Sequence, residues 1–184
     1  MQLISVTHTL DNYTIYKYNI SNATNPTVAK MYNKYKLETL DTEPIWAATS
    51  SGWTGYASAS NLNTPQSLVT GINGSWIVQQ IPKSSNQYKS VQWAGIGGIV
   101  SQPFNDNNLI QVGTESDSGD GNTNYYAWYE LYPKTSEINF GTFCRICVVI
   151  PNDKIYAAIY ATNVINQWDT IMVDNTQKWE VFLQ

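Results

Sequence analysis

The chain has 184 residues, a net charge of −4 and an isoelectric point near 4.8, with no basic stripe. Nucleic acid is therefore excluded as an expected partner, because neutralising phosphates needs clustered Lys and Arg. Only 13% of residues are charged, against roughly 25% in an average soluble protein. Such a chain gains little self-repulsion as pH falls, which suits an acidic extracellular medium.

Taken from the start, Met1-Gln2-Leu3-Ile4-Ser5-Val6-Thr7-His8 lacks the basic opening and apolar length of a signal peptide. No run approaches roughly 18 apolar residues, so no membrane span is expected. Residues 1–36 hold Lys17, Lys30, Lys34 and Lys36 against Asp11, a net charge of +3, which leaves −7 for the remainder. Tyr16, Tyr18 and Ile20 alternate with Lys17 and Asn19, as in a strand. Residues 27–40 invite a weak helix assignment, and Asp41-Thr42-Glu43-Pro44 reads as a linker. The expected organisation is an N-terminal arm over 1–47, followed by one domain over 48–184. A basic arm would be drawn onto the acidic body, or onto a neighbouring copy to make a homo-oligomer.

Further along, Trp76-Ile77-Val78, the alternating Cys144, Ile146, Val148 and Ile150, and Tyr156-Ala157-Ala158-Ile159-Tyr160 each read as strands. Turn-rich links separate them, at 61–65 and at 115–122. Many short strands with this spacing predict an all-β, two-sheet antiparallel β-sandwich with an N-terminal extension. Cys144 and Cys147 form a lone C-x-x-C, and His8 is the single histidine, so neither a metal nor another cofactor is expected. On a strand these two cysteines would face opposite sides and a disulfide would be strained, which favours two free thiols. Sequons at Asn12, Asn19, Asn22 and Asn73 are no more than this Asn, Ser and Thr content produces.

Three segments carry a resemblance. They are Ser51-Gly52-Trp53-Thr54-Gly55-Tyr56-Ala57, then Gln92-Trp93-Ala94-Gly95-Ile96-Gly97-Gly98 with Leu109-Ile110-Gln111-Val112-Gly113, then Tyr126-Ala127-Trp128-Tyr129-Glu130-Leu131-Tyr132-Pro133. In that order they resemble S-N-W-G-G/A-Y, W-V-G-I-D-G, L-Q-T-G and Y-x-A-W-Y-E-W-Y-P of the glutamic peptidases, or eqolisins. The resemblance implies a concanavalin-like jelly roll and an acid endopeptidase acting on polypeptides. It makes Gln111 the catalytic glutamine that stabilises the oxyanion. Trp53, Trp93, Trp128, Tyr129 and Glu130 become substrate-binding residues of the cleft. The family's catalytic glutamate lies in a later A-E-W-I-V-E segment that has no counterpart here, and Glu180 is the candidate substitute. Gly97, Gly52 and Leu131 stand where the family has Asp, Asn and Trp.

The residue types fit that chemistry on their own terms. Strand parity puts Trp128, Glu130 and Tyr132 on one face. A carboxyl between aromatic rings is partly desolvated, which favours its neutral form. A glutamine amide does not titrate, so it remains a donor in acid. Two other classes stay open: a non-catalytic extracellular protein that assembles, even into filaments, by strand exchange through the arm, and a binding module using the aromatic floor.

Overall fold

The structure, a computed structural model, describes residues 2–8, 14–19, 69–98, 100–101, 104–105, 108–165 and 167–184. Apart from one 3₁₀ turn, Phe140–Thr142, its regular elements are strands. They are β1 (Gln2–His8), β2 (Thr14–Asn19), β3 (Gly71–Ile77), β4 (Tyr88–Gly97), β5 (Val100–Ser101) and β6 (Phe104–Asn105). These are followed by β7 (Leu109–Gly119), β8 (Asn122–Tyr132), β9 (Ile138–Asn139), β10 (Lys154–Ala161), β11 (Trp168–Asp174) and β12 (Trp179–Leu183). The 27–40 segment and its weak helix assignment lie outside the described residues.

Two sheets face each other. One has six strands in the order β1-β2-β12-β11-β10-β3, the other four in the order β4-β7-β8-β9, and β5 pairs β6 separately. Period-two alternation explains the arrangement. Ile155, Ala157 and Ile159 of β10, Met172 of β11, and Trp179, Val181 and Leu183 of β12 point inward from the six-stranded sheet. Val112 of β7, with Ala127 and Tyr129 of β8, meet them from the four-stranded sheet, and Phe140 joins that core. This is the expected β-sandwich. Pairing is antiparallel except where β2 runs parallel to β12, from Trp179 opposite Thr14 to Leu183 opposite Tyr18.

Two local readings of the sequence are corrected. Residues 115–122 are not a link: Glu115 to Gly119 continue β7, and Asp120-Gly121 alone makes the turn. Both turn residues have positive φ, 52° and 75°, the backbone a two-residue hairpin needs and Asp-Gly favours. Nor is 143–150 a strand. Phe140 leads into a tight turn in which the Cys147 amide donates to the Cys144 carbonyl, 3.2 Å. That turn brings the two Cα atoms to 5.4 Å, and the cysteines form a buried disulfide. Only on an extended backbone would the two side chains have faced apart.

The sheets are also tied by a polar contact. Trp76 Nε1 of β3 donates to Thr114 Oγ1 of β7, 2.8 Å, and Thr114 is buried. Replacing Trp76 by Phe strands that hydroxyl, so stability to urea should drop by about 1–3 kcal/mol. Adding Thr114→Val should recover part of the loss, because both polar partners are then gone. A double variant as unstable as the sum of the singles would show that the bond contributes nothing.

Candidate functional site

Directly opposed residues of an antiparallel pair project from the same face, so register alone lays out the outer surface of the four-stranded sheet. Val112 and Thr114 turn inward, and Gln111, Gly113, Glu115 and Asp117 therefore turn outward. Across to β8, Gln111 pairs with Glu130, Gly113 with Trp128, Glu115 with Tyr126 and Asp117 with Asn124. Across to β4, the same four pair with Gly95, Trp93, Val91 and Lys89. One row thus holds Gly95, Gln111 and Glu130, and the next Trp93, Gly113 and Trp128.

Gln111 and Glu130 are joined side chain to side chain, the Gln111 Nε2 donating to Glu130 Oε2. A carboxylate only accepts, so this contact fixes which end of the amide faces Glu130 and leaves a second N–H available. The indoles close the neighbouring row because Gly113 lacks a side chain. A Cβ there would sit 2.5 Å from the Gln92 carbonyl oxygen, 2.8 Å from Trp93 Cβ and 3.0 Å from Trp128 Cζ2. Trp93 keeps 37% of its surface exposed, whereas Trp128 keeps 3% and its buried Nε1 has no hydrogen-bond partner. The row is walled by tryptophan on both sides.

Beyond Trp128 lies a charged group absent from the sequence reading. Glu115 is buried and paired with Lys89, and Asp117 lies 3.9 Å from the same ammonium. Burial opposes the Glu115 charge, but hydrogen bonds from Lys89, Asp117 and Tyr126 and the Lys89 charge outweigh it, holding Glu115 below the usual carboxyl range. Burial, together with the Glu115 carboxylate, pushes Asp117 and Glu137 up. Burial and the same carboxylate also raise the Tyr126 phenol. The signal that could have found Glu115 and Asp117 was the continued alternation Gln111, Gly113, Glu115, Asp117, hidden by treating the Ser, Asp and Gly content as loop.

Two expected site residues stand elsewhere. Tyr129 is 2% exposed, on the inward face of β8, packed against Phe140 and Phe143 with ring centroids 6.2 and 6.4 Å away. It belongs to the core because its neighbours Trp128 and Glu130 occupy the outer face. Glu180 is on β12 of the six-stranded sheet, opposite Val173 and Ile15, on the other side of the sandwich from Gln111's surface. The structure does not bring it to Gln111. Trp53 lies outside the described residues. Gln111, Glu130, Trp93 and Trp128 are the four that share one surface.

A family model described as the Peptidase A4 family matches residues 51–181. The chain belongs to the Peptidase A4 family. This is the glutamic peptidase family to which the aromatic and glutamine motifs pointed. No curated protein and no solved structure matches the chain. Within this peptidase-family domain, the motif residues that meet on the outer face are those of β4, β7 and β8, adjacent strands whose register the family pattern spans.

Glu180 has a separate consequence. It is 7% exposed, and burial alone raises its pKa to about 7. A carboxyl raised in the folded state contributes stability that is complete below its unfolded value near 4.5 and lost as pH rises through about 7. Glu180→Gln should match the wild type at pH 3 and exceed it at pH 8 by about 3 kcal/mol in chemical denaturation. Equal stabilities at pH 8 would mean the carboxyl is solvated.

Proposed function

We propose that this domain is an acid-acting endopeptidase in which Gln111 is the oxyanion donor. The observation that carries the reading is the Gln111–Glu130 hydrogen bond on a tryptophan-walled sheet face. Peptide hydrolysis develops negative charge on the carbonyl oxygen, and a donor held in place beforehand stabilises it without reorganising. One N–H of the Gln111 amide is committed to Glu130, and the other is free for that oxygen. Glu130 acts here as a positioning residue. Because an amide keeps its protons at any pH, the donor survives conditions in which a histidine or lysine partner would change charge.

The substrate class that fits is extended polypeptide. Trp93 offers exposed apolar surface beside Gly113 for side chains, with the buried Trp128 packed on the other side of that glycine. The low charge density and the buried, acid-favouring Glu180 support a working medium of low pH, and with it an extracellular location.

The test is hydrolysis of denatured protein between pH 2 and 4, in the presence of pepstatin. The wild type should cleave, Gln111→Ala should lose about 100-fold or more in kcat, and Glu130→Gln should lose less, with KM little changed. Full activity in Gln111→Ala would end the assignment.

A second reading draws on the parallel pairing of β2 with β12. The same strand donated to a neighbour's β12 would build an oligomer from a non-catalytic scaffold. Deleting residues 1–47 should then change the mass measured by light scattering. A monomer before and after deletion excludes strand exchange.

A further inference from the structure

Away from the Gln111 surface, two turns meet at one end of the six-stranded sheet. One precedes β10 and contains Asp153; the other joins β11 to β12 and begins with Asp174. Both carboxyls are fully buried. Asp153 Oδ2 accepts from the Ile150 amide at 2.7 Å, and its Oδ1 from Gln177 Nε2 at 2.9 Å. Asp174 Oδ1 accepts from the amides of Thr176 and Gln177, at 2.8 and 2.9 Å. Its second oxygen, Oδ2, is buried and has no donor. Gln177 joins the two carboxyls, bonding Asp153 through its side chain and Asp174 through its backbone amide. Asp153 also acts on Asp174 by charge and hydrogen bonding, yet two carboxylates have only acceptors to offer each other. A proton on one of them supplies the missing donor.

We propose that Asp153 and Asp174 share one proton and form an acid-set latch, which pins residues 144–152 beside the Gln111-bearing sheet and releases them as the medium turns neutral.

The latch meets Val78 at the end of β3 in the six-stranded sheet, and it reaches the Gln111-bearing sheet through Val148. The Asp153 carbonyl accepts from the Val78 amide at 2.9 Å, and the Asn152 amide donates to the Val78 carbonyl at 2.8 Å. Within the pinned segment, the Val148 carbonyl accepts from Trp179 Nε1 at 2.9 Å. Val148 also bridges to Tyr126 of β8, the residue beside Glu115 on the outer face. The charge acting on Asp174 is that of Asp153. Lys154, Lys178 and Arg145, the cations of the adjoining elements, carry exposed side chains. Opposite Asp174, β12 presents Trp179 and β10 presents Ile155, both buried and uncharged. Glu180, the next residue of β12, is the other acid nearby in sequence.

Burial and the facing carboxyl raise Asp174 to about 6. The latch therefore contributes fully below the unfolded value near 3.8 and is lost as pH rises through about 6. Asparagine at 174 reproduces the protonated pair at every pH, since its Oδ1 still accepts from the two amides and its Nδ2 donates to Asp153.

The experiment is denaturant unfolding with amide exchange across residues 144–152, at pH 3 and pH 7.5, on wild type and Asp174→Asn. At pH 3 the two should agree within about twofold, whereas at pH 7.5 the variant's folding constant should be about 100-fold larger. Exchange protection of 144–152 should persist at pH 7.5 in the variant and fall in the wild type. A variant whose stability declines with pH in parallel with the wild type, or equal protection in both, overturns the latch. Glu180 is present in both proteins, so its own pH dependence cancels. Asp153→Asn serves as the second variant and should lose the same pH dependence. Failure of Asp174→Asn to fold at pH 3 would also overturn it, because that amide keeps the Oδ1 acceptor and supplies the donor of the protonated pair.

Discussion

The site depends on the register of one hairpin. Gln111 and Glu130 face each other because β7 and β8 are joined by a two-residue turn, Asp120-Gly121, and pair without a bulge from Gly119–Asn122 to Leu109–Tyr132. The side-chain period of a strand is two, so a one-residue slip would send Gln111 outward against a residue whose side chain points into the core. The inward residues resist such a slip. Val112, Thr114, Ala127 and Tyr129 are all buried, and moving any one of them to the outer face would expose what the sandwich now covers. The turn chemistry and the core thus specify the same pairing, and the amide–carboxylate contact follows from it.

The same hairpin explains why polar chemistry can sit on so aromatic a surface. At Gly113 the absent side chain lets the Trp93 and Trp128 indoles approach β7 from both sides. Gly113 and Trp128 are buried in that row, while Gln111 and Glu130, one row away, keep partial exposure. Two rows further on, Glu115 is buried but retains its charge because Lys89, Asp117 and Tyr126 all act on it. The outer face therefore grades from an uncharged donor and its carboxylate, through indoles, to an acidic group with one cation. Both carboxylate centres are solved by hydrogen bonding more than by ion pairing, in keeping with a chain that has only ten Lys and Arg.

Much of this was legible beforehand. Alternation announced the sandwich, and the spacing of the W-x-G-I, Q-x-G and W-Y-E motifs led to Gln111, Glu130, Trp93 and Trp128. Where reading failed, a local pattern had two physical solutions. Tyr129 lies between two outward residues in the same motif, and a motif records adjacency without recording which face each member takes. Cys144, Ile146, Val148 and Ile150 alternate like a strand, yet Phe140 and Phe143 pack into the core and the chain turns between them and Val149. Glu115 to Gly119 has the composition of a loop but is held extended by pairing on both sides, to β4 and to β8. Glu180 was the candidate for the missing glutamate by its late place in the chain, and position along the chain says nothing about which sheet a strand joins.

Placing β12 in the six-stranded sheet changes what Glu180 means. A carboxyl that burial keeps neutral up to about pH 7 is a poor base in acid, since it holds no vacant proton site there. It is instead a stability element, and Asp174 is another on the neighbouring strand. Both are costly at neutral pH and harmless in acid. Ordinary acid denaturation comes from carboxylates that must be protonated out of native ion pairs. Here Asp174 and Glu180 of the six-stranded sheet are raised, so their protonation favours the native state. The sheet opposite the Gln111 surface thus carries carboxyls whose protonation favours folding, while the sheet bearing that surface carries a donor indifferent to pH. Division of these two requirements between the two layers lets each be met without disturbing the other.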